Sequence, residues 1–406
     1  MRAAPTRTRT PLALAALAIG AFAIGTGEFV IMGLLPDVAG GLSVDVPDAG
    51  RLISAYALGV VVGAPLLIAA SNRFPRKAVL IGLMAAYATF NVVSALAPTY
   101  PLVVVARFLS GLPHGAFFGI GAVVAGSLVD PDRRARAMAR MFAGLTLANV
   151  AGVPVSTLLG QQVGWRWVFA VVGVIGIAAA AAVALCVPDP RPADGPVRLS
   201  RELRALGRRP VWLALLVATV GGAALFATYS YITPMLTDVA GFSPTEVTGL
   251  LALFGVGMTV GNLLGARLAD AATLPTICGG LGIEAVLALL FVPALHNPVT
   301  TVLVLFAFAV TTFAVVPSVQ LRIIAGAGDA PNLASGANQA AFNVANALGA
   351  ALGGVAISAG LGVESSNVVA AALAVAGLAI AVVAGRSDRR VAVAAPREAE
   401  LATAPA

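Results

Sequence analysis

Charge is scarce in this chain. Only 11% of its 406 residues are charged, against roughly a quarter in an ordinary soluble domain. Cysteine and histidine occur twice each, aromatic residues make up 6%, and Lys77 is the one lysine. Each shortage excludes something. Cys186 and Cys278 lie in apolar segments and form neither a disulfide framework nor a metal-ligand spacing. No Gly-x-x-x-x-Gly-Lys-Ser/Thr loop occurs, which argues against ATP hydrolysis by this chain. The absence of His-Glu-x-x-His, of Gly-x-Ser-x-Gly and of carboxylates paired at glycosidase-like spacing in the inside loops argues against an enzyme, and no cofactor is expected. The formal net charge is +7, but the arginines fall in short gaps between apolar runs. They are a topology signal and not a nucleic-acid surface.

What is abundant is apolar sequence, at 59% of residues. A bilayer core of roughly 30 Å needs about 20 apolar helical residues. Cutting at Gly, Pro and charge clusters gives twelve such segments: 12–35, 49–70, 78–97, 101–127, 138–161, 166–187, 210–236, 245–268, 274–294, 299–321, 333–360 and 365–385. The first lacks a cleavage site and reads as an uncleaved span. The expected architecture is an all-α membrane protein with twelve transmembrane helices. Its parts are an N-terminal tail (1–11), a six-helix half (12–187), a basic linker (188–209), a second six-helix half (210–385) and a C-terminal tail (386–406). Linker and tail read as flexible.

Arginine orients the spans. With the N-terminus inside, the inside gaps hold Arg73, Arg76 and Lys77, then Arg133, Arg134, Arg136 and Arg140, then six arginines of the linker. Arg267, Arg322 and the tail arginines also fall inside, and only Arg51 and Arg166 fall outside. This positive-inside bias places both termini in the cytoplasm. High Ala and Arg usage points to a GC-rich bacterial genome, and the expected location is the bacterial inner membrane. The expected partners are a small solute, protons and membrane lipid; the chain is expected to act as a monomer.

The linker divides the chain almost in half, and the halves echo each other. "DVAGG" from Asp37 recurs as "DVAGF" from Asp238, and "LGVVVGAPLLIAASNR" from Leu58 resembles "VGMTVGNLLGARLAD" from Val256. Six spans per half give a parallel repeat about an axis normal to the membrane. Glycines four apart (Gly59/Gly63, Gly111/Gly115, Gly257/Gly261, Gly349/Gly353) predict close helix contacts.

Several stretches resemble the major facilitator superfamily, and within it the drug/proton antiporter branch. "ASNRFPRK" from Ala70 is similar to the superfamily's loop between spans 2 and 3, with Asn72 in place of its acid and Pro75 in place of its glycine. "RFLSGLPHGAFFG" from Arg107 resembles the span 4 motif Arg-x-x-Gln-Gly, with Ser110 where Gln is usual. Span 5 carries Pro154 of the antiporter motif, but its flanking glycines are displaced. "GTGEFVIMGLLPDVA", "GQQVGWRWVF" and "NLASGANQAAFNVANALGAALGG" are similar to arabinose-efflux and chloramphenicol-efflux permeases. The resemblance implies two pseudo-symmetric six-helix bundles around a cavity that opens alternately to each side. It implies a multidrug-type efflux protein, and a gating role for Arg73, Arg76 and Asp270.

Polar residues inside the spans are the candidate site. An ionised carboxylate at a helix centre costs about 2.5–3.5 kcal/mol on insertion scales. Glu28 is therefore a candidate for binding and releasing a proton. Arg107 keeps its charge and is expected to serve proton coupling as a fixed charge that competes with substrate or proton for a carboxylate, or to bind carbonyls structurally. His114 suits a proton relay or a packing role beside Pro113. Glu284 in span 9 reads as a structural partner or a site near water, with proton coupling as the lesser alternative. Gln339, Asn343 and Asn346 share one stripe of span 11 beside Phe342; the stripe reads equally as cavity lining or interhelical hydrogen bonding. Asn149, Asn262, Phe226 and Tyr229 complete the candidate solute-binding set. Amides and aromatics suit an uncharged or amphipathic solute. The leading expectation is export by proton antiport with alternating access, and the alternative is uptake of a sugar or nucleoside by proton symport.

Overall fold

The computed structural model describes residues 10–71, 73–130, 133–188, 208–327 and 331–403; among these the regular structure is helical throughout. Eleven helices are long and apolar enough to cross a membrane. Spans 1 to 7 are Thr10–Gly33, Val46–Ser71, Arg76–Leu96, Tyr100–Ser127, Arg136–Val163, Trp165–Cys186 and Arg209–Tyr229. The 51-residue helix Pro244–Ala294 leaves helical geometry at Ala272, with φ −162° and ψ 91°. Pro275, which cannot donate to the helical ladder, follows three residues later. The helix is therefore two crossings, spans 8 and 9. Pro298–Ala327, Gly336–Leu361 and Ser365–Ser387 are spans 10 to 12, so eleven helices make the twelve crossings expected.

Local chemistry explains the ends. Proline stands in the first turn of spans 4, 7 and 8, where a missing N–H costs nothing. Ser243 caps span 8 in a reciprocal box with Glu246: the Ser243 N–H donates to Glu246 Oε2 at 2.8 Å and the Glu246 N–H to Ser243 Oγ at 3.4 Å. Gly164, at φ +98°, turns the chain from span 5 into span 6. The last helix does not stop at Arg386. Its backbone continues to Thr403, so the tail described is helical where a flexible segment was expected. Most of the expected linker, like Asn72, lies outside the described residues.

The four-apart glycines pack span on span. A Cβ on Gly59 would strike the Phe108 carbonyl, and one on Gly111 the Tyr56 carbonyl, so spans 2 and 4 touch backbone to backbone. Gly261 meets the Val310 carbonyl in the same way, joining spans 8 and 10. Gly144 meets Ala18 (spans 5 and 1), and Gly349 meets Ala223 (spans 11 and 7). Adding six to each span number turns the first-half pairs into the second-half pairs, as a duplicated bundle requires.

The buried apolar residues form three cores. One contains residues of both halves, from Phe29 and Trp165 to Phe254 and Phe308. It lies toward the face at which span 1 ends, here the distal face. At the proximal face, where span 1 begins, the halves have separate cores: one built from spans 1 to 6, the other from spans 7, 9, 10 and 12. The molecule is joined distally and parted proximally. Cross-half hydrogen bonds sit on the joined seam. Ser54 Oγ donates to the Ala347 carbonyl at 3.1 Å, Thr233 Oγ1 to the Met32 carbonyl at 2.9 Å, and Gln161 Nε2 to the Pro244 carbonyl at 3.1 Å. Such bonds between membrane helices are worth about 0.6 kcal/mol each on average.

Candidate transport site

Glu28 lies on the distal third of span 1 and is buried at 3% exposure. Its Oε1 has no hydrogen-bond partner. Arg107 of span 4 is fully buried. Its Nη1 donates to the Gly27 carbonyl at 3.0 Å, and its guanidinium sits over the Tyr56 ring at 4.3 Å and near Phe169 at 5.3 Å. Nε and Nη2 have no partner. Arg107 and Glu28 are thus electrostatic neighbours without being an ion pair; the described ion pair is Arg51–Asp48, at 3.0 Å. Adjacency in sequence explains the arrangement. Arg107 grips the carbonyl of the residue before Glu28, which leaves the carboxyl free to turn toward the other half.

Asn346 of span 11 meets it there. It is near enough to act on the Glu28 carboxyl, but neither of its amide atoms completes a hydrogen bond. Oxygens of Thr26, Asn149, Ser230 and Asn343 are likewise buried without a protein partner. A buried polar group left unmatched costs about 1–3 kcal/mol. A seam with this many can accept a proton, water or a polar solute.

The structure joins some of the expected residues and separates others. His114 is in the same cluster as Arg107: its Nδ1 is 3.1 Å from the Tyr56 hydroxyl, and its ring lies beside Phe118 at 5.2 Å. Phe226 and Phe342 meet edge to face at 5.0 Å. Tyr229 stacks on Phe254 at 4.5 Å and meets Phe29, the neighbour of Glu28, at 6.3 Å. Asn149 lies in a widened π-turn of span 5, Ala148–Gly152, with its carbonyl against Gly255 of span 8. Asn343 Nδ2 is used within its own helix, donating to the Gln339 carbonyl at 3.0 Å. Asn262 is exposed. Arg73 and Asp270 are exposed and Arg76 half-buried, near the parted face, with no ion pair to one another among the described residues.

Sequence reasoning missed Tyr56 and Tyr87. Tyr56 lies between Arg107 and His114, and the Tyr87 hydroxyl donates to the Ala23 carbonyl at 3.0 Å. Both are fully buried phenols, and a buried phenol seeks a partner. That was the available signal, since the chain has only five tyrosines. Thr233, which crosses to span 1, gave no signal.

Residues 17–332 match the model of the Major Facilitator Superfamily. The chain belongs to the major facilitator superfamily. It is therefore a multi-pass membrane transporter of small molecules, and that superfamily is one of transporters, not enzymes. Its relatives include the inner membrane transport protein YdhP of Escherichia coli K12, 45% identical over 91% of this chain and 94% of the relative. The putative transporter AraJ of the same organism is 35% identical, covering 94% and 96%. A chloramphenicol resistance protein of Streptomyces lividans is 35% identical, covering 88% and 91%. The fold matches a bacterial homolog of the human lysosomal transporter Spinster, solved inward-facing and unoccupied, with a TM-score of 0.74 over 94% of this chain and 98% of that one, at 16% identity.

Proposed function

We propose that this facilitator exports a small amphipathic solute in exchange for protons, with Glu28 as the group that carries the proton. The observation behind this reading is the place of Glu28. It is an acid at the seam, buried, without an ion-pair partner, and facing Asn346 of the opposite half. An acid at that point feels which way the halves are rocked, because its surroundings are made by both. The arginine count puts the parted face in the cytoplasm, so the arrangement described is the one that loads solute from inside. The aromatic pairs and amides around the seam suit a neutral solute with a ring. Chloramphenicol is the first compound to try, given the Streptomyces relative.

The test is reconstitution of the full chain in liposomes with an imposed pH gradient. Chloramphenicol is expected to move against the proton flow. Movement with the protons would make the protein an importer and overturn export. Indifference to the gradient would overturn coupling.

A further inference from the structure

Glu284 is the other buried acid of the described spans, and the proposed exchange makes no use of it. It is buried at 1% exposure in span 9. It borders a cavity of about 50 Å³ inside the second half, lined by Val217 and Gly221 of span 7, Thr312 and Val315 of span 10, and Asn338 and Phe342 of span 11. A water needs about 10–15 Å³ of such space, so the cavity has room for a small cluster, with a carboxyl, a hydroxyl and an amide as polar partners. Span 7 widens into a π-turn at Val217–Gly221 along this wall; such turns interrupt the regular ladder and recur at functional sites.

The hydroxyl of Thr312 reports the state of the acid. Its Oγ1 lies 2.9 Å from the Phe308 carbonyl and 3.2 Å from Glu284 Oε1. A hydroxyl has one hydrogen to donate, and a carbonyl only accepts. If Thr312 donates to Phe308, its contact with Glu284 is a hydrogen bond only when the carboxyl brings the proton. If the carboxyl is ionised, the Thr312 hydrogen must swing to it and leave Phe308. The pair therefore has two arrangements that differ by one proton. Among the described residues, Glu284 faces no titratable or charged group: Thr312 is the side chain acting on it, spans 7 and 11 present the apolar and amide residues named above, and span 12 adds no charged residue at this level. Arg322 on span 10 lies ten residues beyond Thr312, about 15 Å along the helix, where it acts on Cys278 instead.

We infer that Glu284, with Thr312 and Asn338, forms a second proton-binding site within the second half, separate from Glu28. On release the Oε–H bond breaks, the proton leaves on a water of the cavity, and the Thr312 hydrogen turns to the carboxylate; binding reverses each step. Asn338, Phe342 and Asn346 fall four apart on span 11, so one helix face links this cavity to Glu28. The site stands whether or not Glu28 carries a proton.

Infrared titration of the purified full chain tests it without a solute. The carbonyl-stretch band of protonated carboxylic acids is expected to contain a component that Glu284→Gln removes and Glu28→Gln leaves in place. Thr312→Val, which keeps the acid and the shape, is expected to keep that component but move its frequency and its titration midpoint. Sodium in place of potassium is expected to change nothing. A spectrum unchanged by both Glu284→Gln and Thr312→Val would overturn the site, as would loss of the component in Glu28→Gln. A midpoint that shifts with sodium would assign the cavity to a metal cation and overturn it as well.

Discussion

Arg107 is held by one carbonyl and two rings, with two of its nitrogens unpartnered. Its neighbour Glu28 makes no bond to it. A guanidinium over a desolvated ring is worth about 2 kcal/mol or more, and its planar fork is not reproduced by an ammonium. Arg107→Lys is therefore expected to insert and fold, but to lose thermal stability in detergent and to lower gradient-driven transport about tenfold or more. Wild-type melting and transport in that variant would remove the role given to the stack. Both charged residues were legible in the sequence, because a charge in an apolar run is conspicuous. Tyr56 was not: one phenol among many apolar residues looks ordinary until its partners are known.

At the scale of elements, the spans were legible because their length and their Gly and Pro punctuation are set by the bilayer. The span 8–9 break at Ala272 falls in the gap between 268 and 274 that the sequence left open. The π-turns of spans 5 and 7 were hidden, since no local residue type demands them. Close pairing of spans 2 and 4 was readable only as a glycine spacing; which backbone each glycine meets depends on the partner span. Gly111→Ala sets a methyl against the Tyr56 carbonyl. Overpacking of this kind costs about 1–3 kcal/mol, so a clear fall in melting temperature is expected. Gly82→Ala in span 3 meets nothing and is expected to be neutral or to stabilise by up to about 1 kcal/mol. Equal melting of the two variants would contradict the packing described.

For the whole molecule, the repeat led to the expectation of two halves and the arginine count to an expected orientation, but neither said which face is joined. That is decided by cores shared between halves, and only long-range packing reveals them. Spin labels at Arg73→Cys and Asp270→Cys report the parted face, and labels at Asp45→Cys and Glu246→Cys the joined one, with Cys186 and Cys278 replaced by serine. Solute or a change of pH is expected to shorten one distance while lengthening the other. Changes of the same sign at both faces would contradict a rocking pair of halves. The most direct test of coupling is Glu28→Gln in liposomes. The variant is expected to exchange labelled for unlabelled chloramphenicol across the membrane at equilibrium, yet to accumulate none when a pH gradient is imposed. Accumulation at the wild-type level by Glu28→Gln would contradict the account.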